Sequence, residues 1–175
     1  MKNLTTLSKI FAVLALMASS IWIGSYLSRL FIVYNLFEAP DLILKSYITD
    51  ENVNGILSSI LPSILIHFIS YILMIILTSL FLITCKMNLK MNGWLFIIIL
   101  AVFLTTPFEI YLMIIDYKII SMLYAGSFNA SMVISLLKER IKDLSSFPIV
   151  ILFTYLSFFY FIVFQPLTKI NETKE

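Results

Sequence analysis

The chain has 175 residues, 61% of them hydrophobic and 13% charged, with a formal net charge of +2 and a mean hydropathy of +1.01. A soluble domain carries about 25% charged residues, so this composition argues against a soluble fold and predicts a polytopic membrane protein. The small net charge leaves no electrostatic footprint for nucleic acid, and the single cysteine, Cys85, excludes an intrachain disulfide.

Lys2 and Lys9 precede an uncharged run from Ile10 to Ser28. Basic residues followed by Ile10–Ser20 imitate a signal peptide, with Ala18 as a small residue suited to cleavage. The apolar run continues, however, through Trp22, Ile23 and Leu27 to Phe37, interrupted only by Arg29. That outlasts the roughly 7–15 residues of a signal-peptide core, so a first helix is expected over 10–34. The loop 35–55 holds Glu38, Asp41, Asp50 and Glu51 against Lys45. Its Leu42, Ile43, Leu44 and Tyr47 are expected to lay a short turn on the membrane surface.

Residues 56–85 carry no Lys, Arg, Asp or Glu. At about 1.5 Å per residue this stretch exceeds the ~30 Å hydrocarbon core, so it must tilt or project. Pro62 falls in its first turns, where a proline is tolerated, and His67 is its one histidine. The connection from Lys86 to Gly93 is short, which makes the second and third helices antiparallel neighbours. The third helix is expected over 93–116. It opens on Trp94 as an interfacial anchor and carries Pro107, Glu109 and Asp116.

Ile119–Leu137 is uncharged but diluted by Ser121, Gly126, Ser127, Asn129, Ser131 and Ser135. Val133, Leu136, Leu137, Ile141 and Leu144 recur at helical spacing, and Lys138, Glu139, Arg140, Lys142 and Asp143 are read as lying largely off that stripe. An amphipathic helix in the interface is the reading for 119–143; a weak fifth span is its competitor. A last helix is expected over 145–167, with Ser145–Ser146 capping it ahead of Pro148. The fold class predicted is all-α: one integral membrane domain, a bundle of four transmembrane spans plus an interfacial amphipathic helix. With 4 Gly in the chain, no small-xxx-small seam between helices is expected.

Four spans put both termini on one side. With the amino terminus inside, Lys2, Lys9, Lys86, Lys90, Lys169 and Lys174 lie inside, and Lys45, Lys118, Lys138, Arg140 and Lys142 outside. Five spans would distribute the basic residues better under the positive-inside rule, but Ile119–Leu137 is too polar. A plasma or inner membrane location with a cytoplasmic amino terminus is expected.

Antiparallel geometry brings the intramembrane polar residues to one level. Counted from the predicted helix ends, Arg29, His67 and Glu109 lie about 8, 16 and 10 Å in from the same face. Glu109 and Asp116 share a helical stripe, since seven residues are close to two turns. Pro107 leaves the Phe103 carbonyl without its helical donor. That carbonyl, the Thr105 and Thr106 hydroxyls and Glu109 could offer oxygens to a cation, or satisfy one another. An intramembrane acid calls for a partner, and Arg29 is the one expected for Glu109. The competing reading is structural: Arg29 snorkels, Asp116 sits among headgroups and His67 is a hydrogen-bonded core histidine.

The sequence carries no HExxH pair, Gly-rich phosphate loop or GxSxG elbow, so no cofactor or metal site is expected and no motif supports an enzyme; an enzyme on lipid headgroups is the third alternative. The cysteine signatures of tetraspanins, claudins and disulfide-forming quinone reductases are missing. The function expected first is a small membrane accessory or scaffold protein. Its partners would be the lipid bilayer and membrane proteins or further copies of itself, met through helix contacts. The alternative is a small ion- or proton-coupled transporter or channel built on Glu109, Arg29, His67 and Asp116.

Overall fold

Helical propensity and apolar content decide most of the structure. The computed structural model describes residues 4–85, 87–143 and 147–168, and these are nearly all helical. Helix α1 (Thr6–Asn35) starts where the Thr5 side chain accepts the Ser8 N–H at 3.2 Å, the usual role of an N-cap threonine. Helices α2 (Val53–Cys85) and α3 (Gly93–Tyr124) run on through Pro62 and Pro107. Helix α4 (Ala130–Lys142) is capped by Asn129, which accepts the Ser131 N–H at 3.0 Å, and α5 is Phe147–Phe164. Helices α1, α2, α3 and α5 are long and apolar enough to cross a membrane.

Two expectations need correction here. The third helix does not stop at Asp116: Ile119 to Tyr124, read as the start of the amphipathic segment, extend α3 by two turns. They continue its inward apolar row, with Ile119 and Leu123 buried, so propensity and packing agree on helix. The chain turns only at Gly126, whose φ of +76° is a conformation glycine adopts without steric cost. The loop after α1 also folds differently from a surface turn. Strands β1 (Phe37–Glu38) and β2 (Ile43–Leu44) pair antiparallel, and Phe37 and Leu42 are buried. The Ser145–Ser146 cap expected for the last helix, and Lys2, Lys86, Leu144, Lys169 and Lys174, lie outside the described residues.

The starts of α1 and α3 meet the ends of α2 and α5. Ser8 donates its hydroxyl to the Thr84 carbonyl at 2.8 Å, and the Gly93 N–H donates to Leu167 at 3.2 Å. So α1 and α3 run one way, α2 and α5 the other. Two apolar cores result. One, around Trp22, Tyr71, Trp94, Ile98, Ile151 and Tyr155, lies among α1, α2, α3 and α5. The other joins the end of α1, the hairpin, the start of α2, the end of α3 and the inner face of α4, through Val33, Leu57, Ile64, Ile119, Val133 and Leu137. Arg29, His67, Glu109 and Asp116 occur at the crossover between the two sets.

Candidate functional site

Each ionisable residue of the crossover falls on the inward row of its helix. On α1 the buried positions run Trp22, Tyr26, Arg29, Val33; on α2, Ile60, Ile64, His67, Tyr71; on α3, Glu109, Leu112, Asp116, Ile119. Spacings of three and four place these side chains on one face. His67, Glu109 and Asp116 are 0% exposed and Arg29 3%. Arg29 therefore turns inward to a partner instead of snorkelling, and Asp116 is enclosed by protein.

Asp116 is the hub. Arg29 donates from Nη1 to Oδ2 and from Nη2 to Oδ1, a bidentate pair, and Arg140 donates from Nε to Oδ1 at 2.8 Å. Planar guanidinium matches carboxylate in this two-bond geometry. The partner expected for Arg29 was Glu109, and the structure gives it Asp116 instead. Asp116 lies two turns further along α3, nearer the end of α1, and α4 closes over it with a second cation.

Arg140 is the residue that sequence reasoning missed. Its signal was present: Val133, Leu136, Leu137 and Arg140 fall at i, i+3, i+4 and i+7, so Arg140 lies on the apolar stripe of α4 rather than off it. Burial works against its charge, but the Asp116 and Glu109 carboxylates outweigh that and hold its pKa above the usual arginine value. The phenol of Tyr26, also on the inward row, completes the surroundings of this ion pair.

Glu109 and His67 are handled differently. Both carboxylate oxygens of Glu109 and both ring nitrogens of His67 are buried without a hydrogen-bond partner among the described residues. His67 has aromatic neighbours. The His67 ring lies 5.3 Å from that of Tyr26 and 5.9 Å from that of Trp22. Trp22 in turn stacks obliquely on Tyr155 at 4.5 Å.

The threonines do not join Glu109. Thr105 donates to the Ala101 carbonyl at 2.9 Å and Thr106 to the Val102 carbonyl at 2.7 Å, the back-bonding usual for helical threonine. Tyr71 donates to Thr106 at 3.2 Å, and Tyr155 shares a hydrogen bond with Thr105 at the same distance. Pro107 faces outward, and the Thr105 and Thr106 hydroxyls are engaged by helix carbonyls and tyrosines instead of by Glu109. No group of three or more His, Cys, Asp or Glu side chains could hold a metal among the described residues.

Comparison with models of known protein families, with curated proteins and with solved structures finds no match to this chain. The site must be read from its own chemistry.

Proposed function

We propose that this chain is an integral membrane protein, with four helices across the bilayer and α4 at one interface, and that Glu109 is the ion- or proton-binding group of a small transporter or channel. The membrane reading is supported by the exposed positions of the long helices. On α2 they change from Asn54, Ser58 and Ser59 to Ile66, Ile69, Ile72, Leu73 and Ile76. On α3 they run Phe96, Leu100, Phe103, Phe108, Ile110 and Ile114, then Lys118 and Ser121. Both changes fall beside the ionic crossover. Helix α5, with 18 residues, measures about 27 Å, close to one hydrocarbon thickness. A cytoplasmic amino terminus in a plasma or inner membrane completes the proposed topology.

The observation that carries the functional reading is the division of labour between two acids on one helix. A structural role for Glu109 calls for a cation beside it, because a buried acid is costly unless paired. Two arginines are available, and both bind Asp116. An intramembrane acid left open in this way is suited to a mobile cation or proton. The test is reconstitution into vesicles with a proton- and cation-sensitive dye. Wild type dissipates an imposed gradient and Glu109→Gln does not; equal fluxes in the two would sink the reading.

A specific feature also favours the accessory role. Ser20, Gly24 and Ser28 are exposed in one row along α1, and nothing lies within 4 Å of a Cβ built on Gly24. Small residues at this spacing let a second helix approach closely. Gly24→Leu would abolish co-purification with a partner, or self-association, if this row is a contact surface. Unchanged assembly would remove that role.

A further inference from the structure

A cleft of about 30 Å³ opens between α1, α4 and α5, lined by Tyr26, Arg29, Leu30, Tyr34, Arg140 and Pro148, among others. Its polar lining is unusual in kind. The Tyr26 hydroxyl is buried and has no partner among the described residues. Arg140 uses only Nε on Asp116, and Arg29 only its two Nη groups. Both Nη groups of Arg140 and Nε of Arg29 therefore make no hydrogen bond to a described residue. Asp116, the acceptor that both arginines share, already takes three hydrogen bonds. The cleft thus brings together donors that have no acceptor among the described residues, on two cations that share one carboxylate.

We propose that this cleft binds a phosphate or phosphodiester oxyanion. Guanidinium forks and a phenol O–H match its oxygens, and a cleft of this volume has room for a small polar group where a water would need only about 10–15 Å³. The ligand source is either free phosphate or the headgroup of a membrane lipid. The cleft's position, where the helix surfaces turn from apolar to polar, puts it at headgroup depth in the proposed topology. The site does not depend on Glu109 moving an ion. Glu109 is the other acid in electrostatic range of Arg140, and its occupancy by a proton would raise the positive charge facing the cleft.

The test uses the full chain in neutral detergent, carrying Trp94→Phe so that Trp22, 5.2 Å from Tyr26, reports by fluorescence. Inorganic phosphate is titrated in one arm. Mixed micelles of phosphatidylglycerol, with diacylglycerol as the phosphate-free control, form the other. A saturable response to phosphatidylglycerol alone assigns the lipid headgroup; a response to inorganic phosphate as well assigns the free oxyanion. Tyr26→Phe, which leaves the ion pairs intact, weakens binding about five-fold, and Arg140→Gln at least about ten-fold. If Arg140→Gln fails to fold, Tyr26→Phe decides. No saturable response to either probe, or equal affinity in wild type and Tyr26→Phe, means the cleft holds only water and overturns the proposal.

Discussion

Arg29 and Asp116, 87 residues apart in the chain, meet through two parallel hydrogen bonds and are both shut away from solvent. This pair fixes α1 against α3 where the two apolar cores adjoin. Removing one partner would strand a buried charge. Asp116→Ala is expected to destabilise the protein by about 3–5 kcal/mol, and the triple variant Arg29→Met/Asp116→Leu/Arg140→Met, which removes both cations with their shared carboxylate, to recover most of that loss. Chemical denaturation in detergent, followed by circular dichroism, measures both. An Asp116→Ala variant as stable as wild type would mean that the pair holds nothing together.

Glu109 should respond in the opposite sense. It makes no hydrogen bond or ion pair among the described residues, so Glu109→Gln breaks no contact. Its stability should stay within about 1 kcal/mol of wild type, the size of a single ordinary hydrogen bond. The same denaturation series tests this. A loss as large as that of Asp116→Ala would show that Glu109 is held by a partner after all.

Helix α4 is attached by a short apolar face, by Arg140 on Asp116 and by Lys138 over the Phe37 ring. Val133 and Leu137 are 0% and 1% exposed. Leu137→Ala should cost about 2–5 kcal/mol by leaving a cavity, and should speed proteolysis within 125–143 before the long helices are cut. Limited digestion with mass analysis of the fragments is the measurement. Digestion at an unchanged rate would place the anchor of α4 elsewhere.

The turn into α4 depends on Gly126. An L-residue at its φ of +76° carries a steric cost of about 1–2 kcal/mol. No neighbour lies within 4 Å of an added Cβ, so Gly126→Ala isolates backbone conformation from packing. The melting temperature should fall by several degrees, while Gly55→Ala, in open helical space, should leave it level or raise it.

Proposed membrane depth can be read by labelling. In a Cys85→Ser background, single cysteines at Ser59 and Ser121 should react in intact membranes with a charged, water-soluble maleimide. Cysteines at Ile76 and Phe103 should not, being exposed on the protein surface but turned to acyl chains. Reaction at Ile76 would remove the membrane assignment of α2.

Much of this architecture was legible because apolar runs and their breaks are local. The four long helices, and the inward stripe through Glu109 and Asp116, follow from spacing alone. The choice of partner does not. Arg29 is near enough in depth to either acid, and only the closing of α4 with Arg140 decides for Asp116. That closing depends on tertiary packing of Ile119 and Leu123 against Val133 and Leu137, which extended α3 beyond its predicted end. Arg140 itself was readable from its i+7 relation to Val133. Its charge argued for solvent, and the buried carboxylate that reversed this lay on a different helix.

Glu109 and Asp116 are carried by one rigid segment, seven residues apart, which fixes their backbone separation at about 10 Å. No sliding or rocking of helices can bring the two acids together or draw them apart. On the proposed reading, a rearrangement that admits an ion to the first would move the surrounding helices past a fixed ruler. Its progress can then be tracked by measuring distances from the second.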